Sequence, residues 1–117
     1  MNDSFAPTPQ PPYWVVIFTS RRAADDGADY ARMSERLAAI APAQPGFLGI
    51  ESARGADGVG ITVSYWTDEA SIAAWKAVAV HLAAQRGGRE HWYADYAVRI
   101  ARVERAYTLA DSPRQGL

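Results

Sequence analysis

"GFLGIESARGADGVGITVSYWT", residues 46 to 67, contains two short runs rich in β-branched and aromatic residues, joined by "RGADG". Strand-forming side chains on either side of an Asp57-Gly58 pair are a hairpin signal, because glycine takes positive φ without a side-chain clash. The two runs therefore read as antiparallel neighbours. Strand alternation places Ile61, Val63 and Tyr65 on one face of the second run and Thr62, Ser64 and Trp66 on the other.

Each side of this hairpin is flanked by a helix pattern and then a further strand pattern. Upstream, "GADYARMSERLAAIAPAQPG" spaces Tyr30, Met33, Leu37, Ile40 and Ala41 at helical intervals with Arg32, Glu35 and Arg36 between them, and Pro42 marks the end. Before it, "YWVVIFTS" (13 to 20) has strand composition and no helical spacing. Downstream, "TDEASIAAWKAVAVHLAAQRGG" opens with Thr67 or Asp68 as a cap and with acids suited to the positive helix end. Its stripe of Ile72, Trp75, Ala79 and Leu82 runs on to a stop at Gly87 and Gly88. "REHWYADY" reads as a short helical turn, and "YAVRIARVERAY" (96 to 107) as the last strand.

The order βαββαβ, one hairpin and two helical crossovers, is an α+β ferredoxin-like arrangement: a four-stranded antiparallel sheet with both helices on one face. Apolar and aromatic residues on both faces of the first and third strands leave a second face to be covered. A second subunit would do this, giving a dimeric α/β-barrel.

At 117 residues the chain fits one domain. Residues 1–12 hold four of the seven prolines and read as a flexible tail, residues 13–107 as the folded domain, and residues 108–117 as a second flexible tail. Twelve basic residues against thirteen acidic ones, with no run of like charge, argue against a nucleic-acid partner. The absence of cysteine excludes disulfides and thiolate metal sites. No signal peptide pattern and no stretch near the ~18 apolar residues of a membrane span is present, so no membrane partner and a cytoplasmic location are the expectation.

The run "PGFLGIESARG.DG.GITVSYW", then "WK....H..AQ..GR..WY..Y" and "VRI..VER.Y", resembles the antibiotic biosynthesis monooxygenase superfamily of dimeric α/β-barrels, across residues 13 to 107. It looks most like a small bacterial branch whose function is unassigned. The resemblance implies a homodimer with a pocket between helices and sheet in each subunit. It implies oxidation of a small planar aromatic or phenolic compound by molecular oxygen, with no metal, flavin or other prosthetic group. It also admits two alternatives, haem binding or degradation and non-catalytic binding of a small molecule. Haem-degrading relatives use an Asn, a Trp and a His; Trp75 and His81 look like the last two, with about one helical turn fewer between them. The first strand ends "FTSRR", so Thr19 or Ser20 would have to stand in for the Asn.

These patterns select the candidate site. An imidazole can take a phenol proton or bind iron, which makes His81 a candidate, although it falls well over 90° around the helix from the stripe. Arg89 can hold a phenolate, and Trp92 and Tyr93 beside it can stack on a ring. Trp66 is expected at a pocket or between subunits. Trp75 is a core residue that can also meet a ligand. The catalytic candidates are thus His81 and Arg89, and the substrate-binding candidates Trp66, Trp75, Trp92, Tyr93 and Thr19. No metal site is expected, because two histidines ten residues apart lack the spacing and carboxylate context of one. "GADGVG" sits in a hairpin and not at a strand-to-helix turn, so it is not a phosphate loop.

Overall fold

A computed structural model describes residues 5–23, 27–85 and 93–111. In chain order the elements are β1 (Tyr13–Arg22), α1 (Gly27–Ile40), a 3-10 turn (Ala41–Ala43), β2 (Phe47–Arg54), β3 (Val59–Trp66), α2 (Glu69–Gln85) and β4 (Tyr93–Val103). The four strands form one antiparallel sheet in the order β2-β3-β1-β4, which is the ferredoxin-like topology.

The hairpin turns where the sequence places it. Gly58 has φ 87°, Gly58 N–H donates to the Gly55 carbonyl, and Val59 N–H donates to Asp57 Oδ1 at 3.1 Å. At the start of α2, Asp68 Oδ1 accepts from Ser71 N–H at 2.8 Å, satisfying an amide with no partner within the helix. The same bond holds the Asp68 carboxyl below its usual range.

Register fixes the two faces. Trp14 pairs with Trp66 and with Arg102, so these share a face, as do Val16 with Ser64 and Ile100, and Phe18 with Thr62 and Val98. Trp66 stacks on Trp75 of α2, with ring centroids 6.0 Å apart, so this is the helix side. Met33 of α1 is buried there too, packed by Leu37, Leu82 and Tyr93. Tyr13, Val15, Ile17, Tyr65 and Val63 line the second face.

The last strand differs from its sequence reading. It begins at Tyr93, inside "REHWYADY", and ends at Val103 rather than Tyr107. A register shift between Arg21 and Arg22 lets β1 pair with Tyr93, and tertiary pairing with β1 overrides the weak local signal of Tyr-Ala-Asp-Tyr.

Candidate functional site

The helix side of the sheet carries two groups of aromatic rings. In the first, Trp66 is 0% exposed, meets Phe47 edge-to-face at 5.5 Å and Trp75 in a stack, and donates its indole N–H to Ser64 Oγ at 2.9 Å. In the second, Phe18 meets Tyr93 at 5.3 Å and Tyr96 at 5.5 Å, and the two tyrosines lie 5.9 Å apart. The groups differ in access. In the first, Trp66 is sealed with Phe47 and Trp75 half-buried around it, whereas the second includes Tyr96, 45% exposed, and adjoins Val98 and Ile100 of β4, which are 50% and 48% exposed. Phe18, Tyr93, Tyr96, Val98 and Ile100 therefore form an apolar strip on the helix side that α1 and α2 leave partly open. Such rings offer flat faces and polarised edges to a planar ligand.

The candidates from the sequence divide accordingly. Tyr93 belongs to the open strip. Trp75 is half-buried between α2 and Trp66. Trp66, expected at a pocket or between subunits, instead fills the core of its own chain, because its face of β3 is the one the helices take. Thr19 pairs with Ile61 and Ala97, so it points to the face opposite Phe18 and cannot share one layer with Trp66, Trp75 and Tyr93. The neighbouring Ser20 does face the helix side; it is buried and accepts from Arg54 Nη2 at 3.1 Å. Arg54 also donates through Nη1 to the Gly58 carbonyl, which makes the Ser20 contact part of the hairpin scaffold.

His81 is exposed on α2. Leu82, the next residue, packs with Met33 and Tyr93, so His81 is turned about 100° away at the margin of the same contact. Arg89 and Trp92 lie outside the described residues. Among the described residues no group of three or more His, Cys, Asp or Glu could hold a metal ion.

Thr19 lines a shallow depression of about 170 Å³ with Ser20, Arg21, Val59, Asp95, Tyr96 and Ala97. Drug-sized ligands occupy roughly 300–1,000 Å³. This depression is thus too small for a polycyclic ring. Sequence reading missed Phe18, Tyr96, Val98 and Ile100. Alternation could have grouped them, but it gives no sign of which face the helices leave open.

On the second face, Tyr65 donates its hydroxyl to Glu51 Oε1 at 2.7 Å and meets Tyr13 edge-to-face at 5.9 Å. Burial, then the hydrogen bond and the charge of Glu51, push the Tyr65 phenol well above its usual range. Tyr65 is therefore a neutral donor at ordinary pH.

Fold and site define a ferredoxin-like α+β protein whose helix-side sheet surface is lined with aromatic rings. The model of the antibiotic biosynthesis monooxygenase family matches residues 14–87, and the chain belongs to that family. It is 49% identical over 105 residues to the uncharacterized protein YqjZ of Bacillus subtilis (strain 168), covering 90% of this chain and 91% of that protein. Two solved structures share the fold at low identity. PA3566 from Pseudomonas aeruginosa matches with a TM-score of 0.63 and 18% identity, over 84% of this chain and 98% of that one. SnoaB from Streptomyces nogalater, a cofactor-independent oxygenase, matches with a TM-score of 0.56 and 15% identity, over 86% of this chain and all of that one (100%). Among the described residues no helix is long and apolar enough to cross a membrane.

Proposed function

We propose that the chain is a monooxygenase that oxidises a small planar phenol with molecular oxygen and needs no prosthetic group, working as a homodimer. The open strip of Phe18, Tyr93, Tyr96, Val98 and Ile100 is the observation that carries this reading. It pairs stacking rings with aliphatic walls, as a flat, largely apolar substrate requires. Family membership supports the reaction class, and the fold is shared with a cofactor-independent oxygenase.

In this reading the rings hold the substrate flat and the aliphatic side chains exclude water from it. A base at the margin of the strip takes the phenol proton, since the phenolate is the electron-rich form that reacts with oxygen. His81, one residue from Leu82, and Arg89, as holder of the anion, are assigned these two parts. One oxygen atom enters the ring as a quinone carbonyl and the other leaves as water, so phenol and O2 give quinone and H2O. The second subunit covers the part of the second face around Ile17, Ile61 and Val63.

The test is oxygen uptake with a panel of polycyclic phenols, with quinone formation followed by absorbance. One O2 consumed per quinone, with turnover lost in Val98→Arg and reduced in His81→Ala and Arg89→Ala, is the expected result. Unchanged turnover in both His81→Ala and Arg89→Ala would remove the acid-base assignment, and unchanged turnover in Val98→Arg would remove the strip as the binding site.

A further inference from the structure

The second sheet face is not uniformly open within one chain. Tyr13 and Val15, at one end of it, are 4% and 7% exposed, whereas Ile61, toward the other end, is 47% exposed. Among the described residues no helix lies on this side. The segment 5–12 reaches this side. Ala6 N–H donates to Glu51 Oε2 at 2.7 Å, and Glu51 uses its other oxygen for the Tyr65 hydroxyl, also at 2.7 Å. One carboxylate thus joins the segment before β1 to the middle of the sheet.

Gly49 supplies a second, independent observation. It pairs with Tyr65 and so lies on the same face. A Cβ added at Gly49 would stand 2.6 Å from the Ala6 Cβ, nearer than real Cβ atoms approach anything, with the Ala6 Cα and the Pro7 carbonyl the next nearest atoms. Gly49 has no positive φ that would require glycine for backbone reasons. Its missing side chain is the space in which Ala6 sits.

We infer that residues 5–12 form a strap that docks in cis on the β2–β3 side of the second face, seated at Gly49 and clasped by Glu51, so that part of the face is closed by the chain's own segment. This interaction surface is distinct from the aromatic strip, and it stands whether or not the chain is an oxygenase. It also limits the footprint a second copy can use to the half around Ile61.

Hydrogen exchange of the full chain, resolved at single amides, tests the strap. In the unmodified chain the Ala6 amide is expected to exchange at least about tenfold more slowly than in a free peptide, independently of protein concentration. Gly49→Ala should bring it to the free-peptide rate while the Val15 and Val63 amides keep their protection. Glu51→Gln should do the same by a different route. The amide oxygen can still accept from Tyr65, but its NH2 then faces the Ala6 N–H, donor against donor. Should Gly49→Ala disturb the sheet amides as well, the Glu51→Gln comparison decides. An Ala6 amide unprotected in the unmodified chain, or protected equally in both variants, overturns the strap. Protection that rises with protein concentration overturns the docking in cis, because it places the segment on a second copy.

Discussion

Replacing Trp66 by alanine separates a core residue from a pocket residue. The side chain is fully buried, stacked on Trp75, set edge-on to Phe47 and hydrogen-bonded to Ser64. Truncating a buried Trp costs about 3–5 kcal/mol through lost transfer energy and the cavity left behind. The upper half of that range applies here, since two ring contacts vanish and the buried Ser64 hydroxyl loses its donor. A chain of this length has a total stability of about 6–17 kcal/mol, so Trp66→Ala removes a large fraction of it. Urea unfolding at fixed protein concentration should show the midpoint falling by about 2 M, for a slope of about 2 kcal/mol per M. Ser64→Ala, which leaves the indole N–H buried without an acceptor, should cost about 1–3 kcal/mol, and the double variant should cost less than the sum. A loss under about 1 kcal/mol for Trp66→Ala would refute the reasoning, because it would mean that the indole stands at a surface that opens in solution.

Three further outcomes are expected. The Tyr65 phenol has its folded-state pKa raised, so its contribution to stability is fully present below the ordinary phenol value of about 10 and is lost as pH rises beyond it. Melting temperatures across that range should fall for the unmodified chain and be flatter for Tyr65→Phe; parallel curves would remove Tyr65 as the responsible group. Gly58→Ala meets no atom within 4 Å, so its whole cost is the left-handed backbone at φ 87°, about 1–2 kcal/mol by denaturant unfolding, and a neutral result would contradict the turn geometry. Light scattering should give twice the chain mass at micromolar concentration; a stable monomer would leave Ile61 and its neighbours without their proposed cover.

Much of the fold was legible because its signals are local. Asp57-Gly58 announces the hairpin, Pro42 ends α1, and the alternation from Ile61 to Trp66 sorts side chains into two sets that the register preserves. Alternation states which residues share a face and says nothing of what covers that face. That is why Trp66 was expected at a pocket or interface and lies in the core, and why Thr19 was grouped with residues of the opposite side. β4 was placed late for a related reason, since a strand at a sheet edge needs only one partner and Tyr93 pairs through a bulge that no local pattern specifies.

The strap was the least legible feature, because it joins Ala6 to Glu51, 45 positions on, and its seat is written in uninformative letters, an alanine before β1 and a glycine within β2. A glycine within a strand is ordinarily a weak point; against Ala6, Gly49 is the one residue type that fits. The same contact revises the inference drawn from apolar residues on both faces of β1 and β3. Those residues require a cover, but part of the cover is the chain's own N-terminal segment. The area that the proposed second subunit would bury is therefore smaller than the sheet face itself, and substituting Ile61 should weaken association, measured by light scattering.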